Sequence, residues 1–131
     1  MTDTEALDTL GRARYLRLTT FRKDGTPVAT PVWLVRDGAH LLVITGGGTG
    51  KVKRLRHTPR VLLAPSDGRG KVKPGVAEVE GTAEIVTDPA ELARLVGLLK
   101  KRYGVVYSIA TFVQRLRGID TSSGAQIRIS L

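Results

Sequence analysis

The chain has 131 residues, 41% of them hydrophobic and 25% charged, which predicts one globular domain over residues 1–131. It contains no cysteine and only two histidines, so disulfides and a cysteine nucleophile are excluded and no metal site is predicted. No apolar run approaches the roughly 18 residues of a membrane span, and an acidic N-terminus lacks a signal-peptide pattern. We therefore expect a soluble, cytoplasmic protein without membrane contact, and its net charge of +9 needs an explanation.

The positive charge is concentrated in one window. Residues 51–73 contain eight lysines and arginines but only one acid, Asp67, so this window carries +7 of the net charge. The remainder of the chain is nearly neutral. Like charges held together repel one another, so the cluster indicates either an anionic partner or a solvated basic surface.

In the first half of the chain, a short helix is predicted over residues 4–11. Strands follow at residues 15–21, 27–35 and 40–45, the first two joined by a turn at Gly25. The strand at 27–35 is apolar on both faces and is expected to be buried on both sides. Because Pro31 cannot donate to a ladder, we expect a bulge or an opening there. A glycine-rich loop then leads into a short basic helix over residues 51–57.

The second half begins with a strand at residues 60–64, a basic loop at 66–75 and a long strand at 76–86. A helix is predicted from Pro89, with Asp88 as N-cap and Glu91 placed for a capping box. A weaker helix at 107–117 and a closing strand at 123–131 complete the chain. Strands arranged early as hairpins, with helices late, predict a mostly β (α+β) fold: a six-stranded antiparallel barrel with flanking helices.

The segment around the glycine-rich loop favours anion binding. Glycines let the backbone approach a ligand closely, and a helix N-terminus offers unpaired N–H groups. The donors expected to contribute are Thr45, Thr49, Gly50, Lys51, Lys53 and Arg54. The segment is not a P-loop, since Val52 follows Lys51. The alternative is a glycine turn before an ordinary surface helix.

Three stretches of sequence together resemble a known superfamily. They are TPVATPVWLV from Thr26, HLLVITGGGTGKVKRLRHTPRVLLAPSDGRG from His40, and VEGTAEIV from Val79. The pattern is similar to the flavin split β-barrels that include pyridoxamine-phosphate oxidase, and most similar to those that use the deazaflavin coenzyme F420. The resemblance implies a homodimer with cofactors at the interface.

The resemblance also implies roles for individual residues. Thr30, Pro31, Val32 and Trp33 match the strand beside the deazaflavin ring; for Trp33, core packing is an equal alternative. The positions that would hold the cofactor's phosphate are Thr45, Lys51 and Arg54. Cations assigned more weakly to the acidic tail of F420 are Lys53, Arg56, Arg60 and Arg69. No catalytic side chain is identified, as hydride transfer relies on the cofactor.

The sequence thus favours an F420-dependent oxidoreductase that passes a hydride from F420H2 to an unsaturated small molecule. One alternative is an oxidoreductase that binds FMN, which has a phosphate but no acidic tail. Another is an F420 carrier without turnover. A basic barrel that binds nucleic acid is disfavoured, because aromatic residues are only 5% of the chain and none lies between Lys51 and Lys73.

Overall fold

The computed structural model describes residues 2–46, 50–104 and 124–131. The predicted helix at 107–117 and the predicted ligand Thr49 lie outside these residues. The described helices are α1 (Asp3–Arg12), α2 (Gly50–His57) and α3 (Pro89–Tyr103). The described strands are β1 (Tyr15–Phe21), β2 (Pro27–Val32), β3 (Val35–Asp37), β4 (His40–Gly46), β5 (Arg60–Ser66), β6 (Val79–Val86) and β7 (Gly124–Ser130).

The described strands form one antiparallel sheet in the order β2-β1-β5-β6-β7-β4-β3. Its two edge strands, β2 and β3, are consecutive in the chain and are separated only by Trp33 and Leu34. A connection that short requires the sheet to curl until its edges meet, which produces a barrel with an open seam. The predicted antiparallel split barrel with flanking helices is therefore confirmed.

Two predicted strands have different bounds in the structure. The segment 27–35 divides at Trp33 into β2 and β3, so the described sheet has seven strands rather than six. The division arises because the chain crosses the seam from one sheet edge to the other. The strand predicted at 76–86 begins only at Val79.

The barrel interior is filled by one apolar cluster with a helix at each end. Leu16 and Leu18 of β1 contribute to this cluster, together with Leu10 of α1 and Leu55 of α2. Helix α1 ends just before β1 begins, whereas α2 contacts the far part of β1 near Thr20. We call these the α1 end and the α2 end of the barrel.

Helix α3 covers the outside of β3 and β4. Leu95, Leu99 and Tyr103 form a second buried cluster there with Val35 and Leu42. The predicted capping box is wrong: the Asp88 side chain makes no cap hydrogen bond. The Glu91 carboxylate instead forms salt bridges with Arg94 and Arg128, which compete with the helix N-terminus for it.

Strand β2 is an edge strand, and its predicted burial on both faces is wrong. Its residues alternate between exposed and half-buried, because only one face packs on the barrel interior. The Arg22 N–H donates to Thr26 O, which places Thr20 and Val28 in the next hydrogen-bonded pair. The peptide groups of Pro27, Ala29 and Pro31 therefore face the free edge. Pairing with β1 continues through Pro31 without a bulge, since no ladder donor is lost.

Candidate anion-binding site

Arg54 is the centre of a polar cluster at the α2 end. Its Nε donates to the Thr20 hydroxyl at 2.6 Å, and that hydroxyl lies 3.5 Å from the Val28 carbonyl oxygen, to which it donates. Thr20 is only 1% exposed. The contact therefore ties α2 to β1 and to the beginning of β2, and it fixes the direction of the Arg54 guanidinium.

Gly50, the first residue of α2, makes room for that guanidinium. A Cβ placed on Gly50 would lie 2.7 Å from Nη1 of Arg54, which is closer than real Cβ atoms approach other groups. Arg54 therefore folds back along the helix toward its N-terminus, where unpaired N–H groups give a partial positive charge. A side chain at position 50 would therefore displace the Arg54 guanidinium from this place.

Lys51 and Arg54 are both cations in an unfavourable environment. The pKa of Lys51 is lowered by burial and further by the charge of Arg54. The pKa of Arg54 is lowered by desolvation and by the charge of Arg22. In the described part of the chain, none of these three cations forms a salt bridge. Cations that are partly buried without a carboxylate are costly unless an anion is supplied from outside.

Of the other predicted residues, Gly50 adjoins Arg54, whereas Lys53 and Arg56 do not. Thr45 is half-buried near the end of β4, paired with the buried Ala125. Gly50 is at the helix start, as predicted. Lys53 and Arg56 are on the exposed side of α2, so the structure does not bring them to the Arg54 cluster.

The remaining predicted cations lie elsewhere on the surface. Arg60 pairs with Glu80, and its guanidinium lies 4.7 Å from the centre of the Phe21 ring. Arg69 is exposed in a loop organised by Asp67, whose carboxylate accepts the backbone N–H groups of Arg69 and Lys71. These bonds lower the pKa of Asp67. Arg60 is thus engaged in the fold, while the Arg69 side chain is presented to solvent.

The loop carrying Arg69 approaches the second half of β2. A Cβ on Gly70 would lie 3.5 Å from Cδ of Pro31, and one on Gly68 would lie 3.4 Å from the Tyr15 ring. Arg69 therefore lies at the α1 end of β2, away from Arg54. Along the strand, Val28 and Trp33 are about 16 Å apart, at about 3.3 Å per residue.

The predicted ring-binding residues lie along this stretch of β2. Pro31 is exposed, whereas Thr30 and Val32 are half-buried. The hydroxyl oxygen of Thr30 is buried and has no hydrogen-bond partner among the described residues. Trp33 stacks on Tyr103, with ring centres 4.6 Å apart and planes 11° apart. Packing is thus one observed role of Trp33.

Sequence reasoning missed Thr20, near the end of β1, and Arg22, the residue that follows β1. Neither belongs to the basic window at 51–73. The hairpin turn at Gly25 predicted that β1 and β2 pair, but nothing local indicated that α2 would return to that hairpin. The approach of α2 to β1 depends on burial of Val52 and Leu55, which is a tertiary effect.

A cavity of about 530 Å³ lies at the α1 end and is separate from the cation cluster. Its lining is mainly apolar and comes from α1 and from the segment before β6, including Ala6, Leu10, Val76 and Val79. None of Arg22, Lys51 and Arg54 lines it. No described helix is long and apolar enough to cross a membrane.

Comparisons with known proteins agree with this architecture. A family model described as pyridoxamine 5'-phosphate oxidase matches residues 2–129. A conserved hypothetical protein of Mycobacterium tuberculosis is 26% identical with a TM-score of 0.69; the match covers 98% of this chain and 79% of that one. No curated protein sequence matches the chain.

Two solved structures with functional names are also similar. A protein named F420 reductase is 23% identical, with 94% of this chain and 90% of that one covered and a TM-score of 0.62. A FAD-binding protein of Mesorhizobium loti is 20% identical, with 100% and 88% covered and a TM-score of 0.65. At these identities the likeness establishes the fold.

Proposed function

Because the chain belongs to the pyridoxamine 5'-phosphate oxidase family, a family of flavin-type redox proteins, we propose that it is an oxidoreductase that uses coenzyme F420. Its substrate would be an unsaturated small molecule that accepts a hydride. The observation that carries the proposal is the convergence of Lys51, Arg54 and Arg22 without a paired carboxylate among the described residues. Such a cluster suits the phosphate group that every candidate cofactor carries.

The donor set at the α2 end fits a phosphate. Arg54 is held by Thr20 at Nε, which leaves its two terminal nitrogens as a planar pair of donors. Lys51 supplies a partly buried ammonium, and the first turn of α2 supplies backbone N–H groups. Thr45, Thr49 and Gly50 are assigned to the same end of the cofactor.

The donor set along β2 fits a heteroaromatic ring. The free edge presents the carbonyl groups of Pro27, Ala29 and Pro31 and the N–H of Ala29, which can pair with ring donors and acceptors. We assign Thr30, Pro31, Val32 and Trp33 to the ring; along the strand they lie about 7 to 16 Å from Val28, at about 3.3 Å per residue.

In this assignment the protein binds and orients, and a bound deazaflavin supplies the hydride. Lys51 and Arg54 hold the phosphate, the free edge of β2 fixes the ring, and the stack of Trp33 on Tyr103 keeps the end of β2 in place. We assign no side chain as a general acid.

The choice of F420 over FMN rests on charge. F420 carries glutamate carboxylates beyond its phosphate, and the exposed cations Lys53 and Arg56 are on α2 beside the proposed phosphate site. Arg69 lies at the opposite end of β2, so its assignment to the acidic tail is less well supported by its position. The likeness to a FAD-binding protein keeps FMN as the second candidate.

The proposal is tested by titrating purified protein with F420 and, separately, with FMN. Trp33 is the sole tryptophan, so quenching of its fluorescence reports a ring bound beside β2. Lys51→Ala should weaken binding about 30-fold, as expected for about 2 kcal/mol from a desolvated charge pair. The matched control is Lys53→Ala, two residues further along the same helix. We expect its affinity for FMN to stay within about twofold of the wild-type value.

Equal loss in both lysine variants would mean that binding depends on general charge rather than on this site. Tight FMN binding without F420 binding would establish the second candidate. Turnover is tested separately, by following oxidation of F420H2 in the presence of cyclic enones. Cofactor binding without oxidation across such a panel would favour a carrier.

We also propose that two copies of the chain pair through the outer side of β2, with the cofactor at their interface. The support is the exposed apolar side chains of Pro27, Ala29 and Pro31 beside a free strand edge. Light scattering should give about twice the 14.1 kDa chain mass. Ala29→Glu should shift the protein toward monomer, and a monomeric wild type would contradict this proposal.

A further inference from the structure

Two residues at the end of β1, Thr20 and Arg22, have no role in the site outlined by the sequence. We infer that they form the second half of the anion site: Thr20 is a positioning residue for Arg54, and Arg22 supplies a third cation. The inference rests on the proposed function only in requiring a phosphate-bearing ligand.

The argument for Thr20 starts from its hydrogen bonds. Its hydroxyl has one proton, which it donates to the Val28 carbonyl, and its oxygen accepts the Nε–H of Arg54 at 2.6 Å. Donor and acceptor roles are therefore both fixed. The hydrogen bond from Arg54 to Thr20 uses only the Nε nitrogen of the guanidinium. It therefore leaves both Nη groups available for a planar, two-point contact with phosphate oxygens.

Gly50 supports the same conclusion independently. The space above its Cα is filled by Nη1 of Arg54, and a Cβ there would come within 2.7 Å. The guanidinium is thus held from one side by Thr20 and lies against the first residue of α2 on the other. A long side chain fixed in this way loses less conformational entropy when an anion binds.

Arg22 belongs to the site because of its position: it follows Thr20 by two residues in the same hairpin ladder, so both side chains lie on one face of the hairpin. It is the charged side chain that, with desolvation, lowers the pKa of Arg54. Its backbone N–H is bonded to Thr26 O, which holds it at the base of the β1–β2 hairpin. In the described part of the chain its side chain has no salt bridge. Two guanidinium groups and Lys51 thus meet where β1 ends and α2 begins.

The first test compares FMN with riboflavin, which differ only in the phosphate. A second pair is F420 and its deazaflavin ribitol fragment, which lacks both the phosphate and the acidic tail. Thr20→Val should weaken the phosphate-bearing ligand about tenfold, equivalent to about 1.4 kcal/mol. It should leave the phosphate-free ligand within about twofold. Thr20→Ser retains the hydroxyl and should restore most of the affinity.

The matched control is Thr19→Val, which alters the neighbouring buried threonine on the opposite face of β1. Thr19→Val should lower the affinity neither for the phosphate-bearing ligand nor for its phosphate-free counterpart. A role in folding alone predicts equal losses for Thr19→Val and Thr20→Val, or equal losses for ligands with and without phosphate. Either result would overturn the role of Thr20.

A positioning role also predicts coupling. In an Arg54→Ala background, Thr20→Val should have no further effect on the phosphate-bearing ligand, because the side chain it positions is absent. Additive losses would show that Thr20 acts on the ligand by another route and would contradict the inference.

The third cation is tested with Arg22→Gln against Lys23→Gln, an exposed neighbour in the same hairpin. Arg22→Gln should weaken the phosphate-bearing ligand about fivefold and reduce the salt dependence of binding, whereas Lys23→Gln should change neither. Equal effects of the two variants would overturn the role of Arg22.

Inorganic pyrophosphate separates this inference from the cofactor. A rise in Tm with pyrophosphate that is clearly smaller in Thr20→Val than in wild type, and unchanged in Thr19→Val, supports the anion site even if F420 and FMN fail to bind. In that case the proposed function fails and the anion site stands. If neither pyrophosphate nor any phosphate-bearing ligand binds, both are wrong.

Discussion

Two groups of cations, one at each end of the barrel, are used in opposite ways. At the α1 end, Arg36 pairs with Asp8, and Arg102 donates to the carbonyl groups of Gly11 and Ala13 at 2.9 and 2.6 Å. At the α2 end, Lys51 and Arg54 have no carboxylate partner among the described residues, and each has a lowered pKa.

This difference separates cations that hold the fold from cations that await a ligand. Where a guanidinium is satisfied by carbonyls and carboxylates, removing those partners costs stability. Cations that repel one another and are partly desolvated lower the stability of the folded protein. Sites selected for function often lower stability in this way. Substitutions at the two ends should therefore have opposite consequences.

The largest expected effect is on binding, from Arg54→Ala. Loss of the positioned guanidinium should weaken a phosphate-bearing cofactor about 100-fold, or about 2.7 kcal/mol. The Tm of the ligand-free protein should stay close to that of wild type, since like-charge repulsion is relieved. Isothermal titration and thermal unfolding of the same samples measure both. A large fall in the ligand-free Tm would assign Arg54 to the fold instead.

The next effect is on stability, from Tyr103→Phe at the α1 end. The Tyr103 hydroxyl accepts the Leu34 N–H at 3.1 Å and lies 2.8 Å from the Arg14 carbonyl oxygen. Because Leu34 is fully buried, its N–H would lose its partner. We expect a loss of about 2 kcal/mol in the free energy of unfolding, measured in urea. Phosphate affinity should be preserved, as the stack on Trp33 remains.

A smaller gain in stability is expected from Lys51→Met. Burial lowers the pKa of Lys51 below its ordinary value of 10.5, so between these two pKa values the unfolded chain binds more protons than the folded one. Wild-type stability therefore rises with pH through that window. The methionine variant should be more stable than wild type by up to about 1 kcal/mol at neutral pH. Its advantage should shrink as the pH rises toward 10.5.

Chemical unfolding at several pH values measures this difference directly. Since all other groups are common to both proteins, the difference isolates Lys51. An advantage that grew with pH would have the wrong sign for a lysine whose pKa is lowered by burial.

The smallest effect is expected from Asp8→Asn at the α1 end. The Asp8–Arg36 pair is partly exposed, with 46% of the Asp8 side chain accessible. Such pairs contribute about 0.5 kcal/mol, so a small fall in Tm without a change in cofactor affinity is expected. An effect on affinity would show that the two ends are coupled.

Much of the architecture could be predicted from local patterns. The alternation in β1 and in β7, the apolar run of β4 and the periodicity of α3 each indicated their own element, because burial of one face imposes a repeat on the sequence. The same patterns could not reveal the division between β2 and β3. That division depends on closure of the barrel, which no short segment encodes.

The candidate site was predicted in part for the same reason. The glycine-rich loop and Lys51 and Arg54 are contiguous in sequence, so their chemistry was visible as a local cluster. Arg60 belongs to the same basic window, yet Glu80 engages it from the neighbouring strand. Net charge along the chain cannot tell a paired cation from an unpaired one.

The sequence alone determined that the positive charge is local, that a glycine loop precedes it, and that early strands joined as hairpins favour an antiparallel fold. These are properties of neighbouring residues. The tertiary structure decided which cations remain without a carboxylate, and it added Thr20 from β1 and Arg22 from just after it. It could do so only because burial of Val52 and Leu55 brings α2 against a strand some 30 residues earlier in the chain.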